Sequence, residues 1–295
     1  MSSIAAISTH WFGGLRDWLP KLLTFNPGNF DQPFLDKAEI HDLQRRVFCT
    51  QNGLCTVLLT LVQTGDEVLV PDPYYATYEG LVAASGATFV PVPTLPEDGF
   101  HVTAKQIEAA ITPRSRVLLL NTPSNPTGAV LSQNEIDEIG EVCERHDLWI
   151  VADEVYADLT YGAPFCSPFD RPQLRHRTLA VSSISKSHAL PGFRAGWIAA
   201  PLDVTPRLVL VAEAMLFGSQ PFIEDALAVA LSQRHPEVER LSAAFQDRAH
   251  QLVSAFDGST AAKARMPEGG MFIMVDIRET GMSGEEFAWK LINEH

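Results

Sequence analysis

Leu148-Trp-Ile-Val-Ala-Asp153 is an unbroken apolar run that stops at a carboxylate, and Glu154-Val-Tyr156 follows it directly. A short apolar run without polar alternation is the pattern of a strand covered on both faces, as in a parallel sheet. Two runs of the same kind flank it, Arg116-Val-Leu-Leu-Leu-Asn121 before and Leu179-Ala-Val-Ser-Ser183 after. Between the first pair lies Asn134–His146, where Ile136, Ile139, Val142 and Cys143 recur at helical spacing. Strands alternating with helices predict a doubly wound α/β domain with a mostly parallel sheet.

The same reading extends outward. Further strands are predicted at Glu67–Pro71, Thr88–Pro91 and Ala195–Ala200. Further helices are predicted at Leu54–Gln63, Tyr75–Ser85, Ala104–Ile111 and Ile223–Ser232. Beyond about residue 235 a long helix, Pro236–Phe256, precedes a β segment, Met271–Asp276, and a final helix, Gly284–Asn293, which together suggest a smaller lobe. Residues 1–40 scatter Trp11, Phe12, Trp18, Phe25, Phe30 and Phe34 among glycines and prolines. Aromatics at that density are costly to expose, so the segment is expected to pack as an arm on the domain or on a second subunit. The expected division is an arm at 1–40, a large domain at 41–235 and a partial small domain at 236–295.

The 295 residues include 36 Asp plus Glu against 22 Lys plus Arg, a formal net charge of −14, and 46% are hydrophobic. This ordinary globular composition excludes disordered and collagen-like classes. An acidic field repels phosphate backbones, so nucleic acid is not an expected partner, although a small anion in a local basic pocket is compatible. Cys49, Cys55, Cys143 and Cys166 form no CxxC pair and no zinc-like spacing with histidine, which predicts reduced thiols and no metal site. No lysine or arginine precedes Arg16, so no signal-peptide n-region is read, and Leu54–Val62 is too short to span a bilayer. The expectation is a cytoplasmic protein with no membrane partner.

Ligands in open α/β sheets gather at the carboxyl ends of strands. Asn121, Asp153 and Ser182–Ser183 close three of the predicted strands, and Lys186 follows three residues after the last. A lysine just past a buried strand is partly desolvated, which lowers its pKa and favours the neutral, nucleophilic amine. Its plain alternative is a solvated surface charge. Asp153, at the end of an apolar strand, needs a cationic partner or a helix to cap. A protonated pyridine nitrogen suits it, and an Asp–pyridinium contact with a Schiff-base lysine is the recurring protein contribution to pyridoxal phosphate chemistry. Arg194, in Pro191-Gly-Phe-Arg-Ala-Gly196, has the fork geometry for a phosphate or for a surface ion pair.

Taken together, Asn125-Pro-Thr-Gly128, Asp153-Glu-Val-Tyr156 and Ser183-Ile-Ser-Lys-Ser187 with Arg194 resemble the signature set of the class I/II aminotransferases, fold-type I pyridoxal-phosphate enzymes. Gly65-Asp-Glu-Val-Leu-Val-Pro-Asp-Pro-Tyr-Tyr75 and Pro267-Glu-Gly-Gly-Met-Phe272 add two matches in the correct order, so that the resemblance covers about residues 47–295. Ser-Lys-Ser-His-Ala189 and Gly269-Gly-Met-Phe-Ile-Met-Val-Asp-Ile-Arg278 look most like the arginine–pyruvate branch, beside the aspartate aminotransferases. The resemblance implies helices on both faces of a mostly parallel sheet, with a partial smaller α+β C-terminal lobe. It also implies pyridoxal 5′-phosphate as cofactor, an amino acid and a 2-oxo acid as substrates, and a homodimer with sites at its interface.

Residue by residue, Lys186 matches the Schiff-base lysine that also shuttles the substrate proton. Asp153 matches the partner of the pyridine nitrogen. Tyr156 and Asn125 match donors to the cofactor's 3′ oxygen, Ser183 and Arg194 match phosphate contacts, and Tyr75 matches the aromatic residue stacked on the ring. Tyr75 reads equally well as a core tyrosine at a strand–helix junction.

Three departures qualify the match. Cys49-Thr50-Gln51 stands where the family has Gly-small-Gln, leaving the N–H groups of Thr50 and Gln51 as phosphate donors at a helix N-terminus. Leu22–Pro33 resembles the family's substrate-side glycine segment, yet only 13 residues separate Pro33 from Val47. The family's carboxylate-clamping arginine is expected beyond His295, with Arg265 and Arg278 as candidates by proximity alone and surface charges the plainer reading. Two other functions fit the motifs: a β-lyase or synthase on the same cofactor, or a shortened, catalytically impaired remnant.

Overall fold

The computed structural model describes residues 46–47, 50–162, 164–216, 220–232 and 235–294. The expected arm at 1–40, the Leu22–Pro33 segment and Cys49 lie outside the described residues. The main sheet comprises β1 (Arg46–Val47), β2 (Glu67–Asp72), β3 (Thr88–Pro93), β4 (Ser115–Asn121), β5 (Trp149–Asp153), β6 (Thr178–Ser183) and β7 (Gly196–Ala199). Its order is β1-β7-β6-β5-β4-β2-β3. Strands β2 to β6 pair in parallel, while β7 runs antiparallel to β6 and β1 antiparallel to β7.

Strand β4 shows why these runs lack polar alternation. Val117 and Leu119 enter one apolar cluster, with Leu54, Val57 and Leu58, while Leu118 and Leu120 enter another, with Ile136, Ile139 and Val142. Period-2 alternation therefore sends successive residues to two different cores, each lidded by helices. The first cluster is covered by α1 (Thr50–Leu61) and the second by α4 (Gln133–Arg145), with α2 (Thr77–Ala84) and α3 (Ala104–Ala110) beside them. A reciprocal capping box, Ser132 with Glu135, starts α4 where the sequence turns helical.

Gly53 lies inside α1 because that helix is pressed onto the sheet. A Cβ there would stand 2.7 Å from Val181 Cγ1. The helix also starts earlier than its apolar pattern predicts, at Thr50 rather than Leu54. After β6 come the one-turn helix α5 (Ile184–Ser187), then α6 (Thr205–Leu216) and α7 (Pro221–Leu231). Helix α6 was not legible in the sequence. Leu208 and Ala212 are buried while Leu210, Met215 and Leu216 are exposed, so apolar residues occupy both faces and erase the helical period.

The remaining elements are α8 (Pro236–Ala255), β8 (Lys263–Ala264), β9 (Val275–Asp276) and α9 (Gly284–Glu294). The strand expected over Met271–Asp276 shrinks to two residues, paired antiparallel with β8. The chain just before it is committed elsewhere, since Gly269 bridges Thr160 and the Gly270 N–H donates to the Leu159 carbonyl. Cys55, Cys143 and Cys166 are free thiols, and burial pushes Cys143 up to about 12. No helix among the described residues is long and apolar enough to cross a membrane.

Candidate active site

Parallel register brings the strand ends to one edge. Asn121 of β4 lies opposite Asp153 of β5, and Asp153 lies opposite Val181 of β6, two residues before Ser183. Because β7 returns antiparallel with Gly196 opposite Ser183, the preceding Arg194 arrives at the same edge. One sheet edge thus gathers residues up to about 70 positions apart in the chain.

Asp153 is 4% exposed and accepts two hydrogen bonds, from the Tyr78 hydroxyl at 2.7 Å and from the Val155 N–H at 3.2 Å. Burial pushes its carboxyl up to about 6, against the pull of those donors and of the Lys186 charge. The neighbouring Glu154 is pushed up to about 8, also by burial, although the Ser167 hydroxyl donates to it. Two adjacent carboxyls held this high mark a site where negative charge is poorly solvated.

Lys186 is half-buried on α5, with Nζ 6.0 Å from the centre of the Tyr156 ring. The buried Ser183 caps α5 by accepting from the Ser185 N–H. His188 closes the other end: its Nε2 meets the Ala230 carbonyl of α7 at 3.1 Å and its Nδ1 meets the Ser187 hydroxyl at 2.8 Å. A carbonyl can only accept, so Nε2 carries the proton and Nδ1 accepts from Ser187. Burial lowers the His188 pKa, which favours this neutral form.

Tyr156 is buried beneath Phe245 of α8 and Phe272, the latter edge-on at 5.9 Å. Asn125 Nδ2 donates to its hydroxyl at 3.4 Å, and burial followed by the Asp153 charge raises the phenol above its ordinary range. Asn121 ties the Asp153 strand end to the Asn125 turn. Its Nδ2 donates to the Asp153 carbonyl and its Oδ1 accepts from the Asn125 N–H, at 3.0 and 2.6 Å.

The proposed anion end also converges. The Thr50 hydroxyl, at the start of α1, donates to Ser183 Oγ at 2.8 Å across 133 residues of sequence. The first turn of α1 carries no acidic residue, as suits a helix N-terminus facing an anion. Gln51 is adjacent, its Nε2 donating to Thr77 of α2 at 3.2 Å. Arg194 reaches this edge through a left-handed backbone (φ 52°), and its guanidinium donates to the Pro191 carbonyl at 2.6 Å. Tyr75 is 37% exposed and stands edge-on to Tyr78, with ring centres 5.5 Å apart.

Arg265 and Arg278 do not join the group. Arg265 donates to the Pro96 carbonyl, and Arg278 pairs with Asp276 and Glu97. Both arginines tie the C-terminal segment to the turn after β3.

Sequence reading missed Tyr78 and His188. The signal for Tyr78 was present, because Tyr75 and Tyr78 are spaced by three at a helix start and so project to one side. Tyr78→Phe keeps the ring volume but removes a buried donor from Asp153. It is expected to cost about 1–3 kcal/mol of stability and to push the Asp153 pKa further up. Urea unfolding of the variant checks this, and an unchanged midpoint would remove Tyr78 from the account.

The donor set fits an elongated ligand with an anionic end at Thr50 and Ser183 and a basic ring nitrogen at Asp153. An oxygen acceptor would suit the Asn125 and Tyr156 donors, and a carbonyl carbon would suit the Lys186 amine. Comparison with known proteins agrees in kind. The family described as aminotransferase class I and II matches residues 47–295. The arginine–pyruvate transaminase of Pseudomonas aeruginosa is 42% identical over 245 residues, covering 83% of this chain and 62% of that protein. The aspartate aminotransferase of Musicola paradisiaca is 34% identical over 249 residues, with coverages of 83% and 62%. The crystal structure of an aromatic aminotransferase from Pyrococcus horikoshii superposes with a TM-score of 0.84 at 28% identity, covering 93% of this chain and 73% of that one. The chain therefore spans somewhat less than two thirds of the length of the curated relatives it matches.

Proposed function

Because the chain belongs to the class I and II aminotransferases, we propose that it moves the amino group of an L-amino acid to a 2-oxo acid with pyridoxal 5′-phosphate as cofactor. The observation that supports this most directly is the buried Asp153 carboxyl, at a strand end within reach of the Lys186 charge, with the Lys186 Nζ 6.0 Å from the centre of the Tyr156 ring. When bound, the cofactor supplies a ring that takes up the electrons left when the substrate loses its α-proton.

The chain's own residues do the rest. The Lys186 amine would hold the cofactor and, once free, would take up the substrate's α-proton and return it one position along. Asp153 keeps the ring nitrogen protonated, and that cation in turn stabilises the buried carboxylate. Asn125 and Tyr156 donate to the ring oxygen. Thr50, Gln51, Ser183 and Arg194 hold the phosphate, and Tyr75 covers the ring face.

The relative at 42% identity is named for arginine and pyruvate, which makes that pair the first choice of substrates. The proposal extends to a cytoplasmic homodimer with a large domain at 41–235 and a small one at 236–295. Exposed apolar side chains on α6 and α7, among them Leu210, Phe222 and Val229, support a subunit contact there.

The test is transfer of ¹⁵N from labelled L-arginine to pyruvate by the protein supplied with pyridoxal 5′-phosphate, read as labelled alanine by mass spectrometry. A panel of other amino acids covers a different donor. Labelled alanine, or another labelled product amino acid, supports the reading. Release of ammonia from a cysteine conjugate without any oxo acid, and no transfer with any donor, would replace it with a lyase.

A further inference from the structure

His101 lies between two carboxylates that come from different parts of the chain. Its Nδ1 is 2.7 Å from Glu135 Oε1 at the start of α4, and its Nε2 is 2.9 Å from Glu268 Oε2. Ionised carboxylates only accept, so both ring nitrogens donate and the imidazole is a cation. Glu268 Oε2 also accepts from the Val130 N–H at 2.9 Å, and Glu135 Oε2 accepts from the Ser132 N–H and hydroxyl. Among the described residues the other charged group acting on the cluster is Arg265, which favours the ionised Glu268.

The segment that carries Glu268 is wedged between two loops. On one side, the N–H groups of Glu268 and Gly269 both donate to the Gly128 carbonyl at 3.0 Å, closing the Ser124–Gly128 turn that holds Asn125. Gly128 adopts φ +73°, and a Cβ there would stand 2.4 Å from Pro267 Cβ, so only glycine admits this approach. On the other side, the Tyr161 N–H donates to the Glu268 carbonyl, the Gly270 N–H donates to Leu159, and the Tyr161 hydroxyl donates to Gly270. Leu159 and Tyr161 follow Tyr156 by three and five positions.

We infer that Glu268 and His101 are positioning residues: their ion-paired bridge seats the Pro267–Gly270 segment between the Asn125 and Tyr156 loops and thereby sets the Asn125–Tyr156 gap. The inference rests on the reading of this edge as the pyridoxal-phosphate centre. Donors to the ring oxygen draw its electron density, so the adjacent lysine-bound nitrogen gives up its proton at lower pH. A loosened gap weakens those donors and raises the pKa of the bound chromophore.

Partnership with Glu268 and then Glu135 raises the His101 pKa from 6.5 to about 9, against the opposing effect of burial. The sign is that of a raised histidine: the stabilisation is complete below about 6.5 and is lost as pH rises through about 9.

The test reconstitutes wild type, Glu268→Gln, His101→Gln and the double variant with pyridoxal 5′-phosphate, then titrates the visible band with pH. Each single variant is expected to raise the band's pKa by about half a unit to one unit. The double variant should add little, since both act through one bridge. Cofactor affinity should weaken about three- to tenfold. The difference in unfolding midpoint between wild type and His101→Gln should close as pH passes about 9. A purely structural bridge would lower the midpoints and leave the band's pKa unmoved, and that result overturns the inference while the cofactor site stands. A wild type with no Lys186-dependent band overturns the site reading itself. Should Glu268→Gln not fold, His101→Gln decides alone, because it leaves the Val130 and Gly128 contacts intact.

Discussion

Lys186→Ala is expected to abolish amino transfer, by about 10⁴-fold or more, while leaving the fold intact. The amine is assigned two tasks, covalent attachment of the cofactor and movement of the substrate proton, and general acid–base catalysis alone contributes about 10²–10⁴-fold. Among the described residues no neighbouring amine replaces it, since Lys105, Lys263 and Lys290 sit on α3, β8 and α9. The fold should survive because α5 is secured by the Ser183 cap and the His188–Ala230 bond, neither of which involves the lysine side chain. Borohydride reduction of the loaded wild type should add the cofactor's mass to the peptide containing Lys186, and the variant should show no such addition. Attachment to any other lysine would sink the assignment.

The second large effect concerns Asp153. Without cofactor, its carboxyl ionises near 3.8 in the unfolded chain and near 6 in the folded one. Between those values the folded state binds more protons, so stability is full below 3.8 and falls as pH rises through about 6. The two-unit shift corresponds to about 3 kcal/mol. Asp153→Asn remains neutral, so unfolding of the cofactor-free variant should lose that dependence between pH 4 and 6.

The same change should reduce turnover by about 10³, because the ring nitrogen loses the carboxylate that keeps it protonated. Cofactor binding should also recover most of the lost stability in wild type at pH 7, by giving Asp153 its cation. A pH slope that persists in Asp153→Asn would assign it to another group, with Glu154, pushed up to about 8, the first to examine. Full turnover in the variant would remove Asp153 from catalysis.

Much of this architecture could be read along the chain. The apolar runs ending at Asn121, Asp153 and Ser183 identified strands buried on two faces, and β4 shows the reason, with its alternate residues in separate cores. The capping box at Ser132 and Glu135 and the amphipathic stripe of α4 are local signals of the same kind. Helix α6 escaped because its apolar residues lie on both faces, some of them exposed. The strand expected over Met271–Asp276 was shortened because its first residues serve the Asn125 and Tyr161 loops instead.

At the site the division is sharper. Residue type and order marked Lys186, Asp153, Tyr156, Asn125 and Ser183, because strand ends and turn residues are encoded within a few positions of one another. Arg265 and Arg278, candidates by proximity alone, follow the plainer reading as surface charges, their side chains engaged with Pro96, Asp276 and Glu97. The Thr50–Ser183 contact, the Tyr78–Asp153 bond and the His101–Glu268 bridge join residues 133, 75 and 167 positions apart. Sheet order and turn geometry alone decide such meetings, since hydrophobic periodicity orients a side chain to a face but does not choose its partner there. The chain's own pattern thus specified which side chains stand at which strand end, and tertiary packing decided which groups share a proton, a charge or a loop.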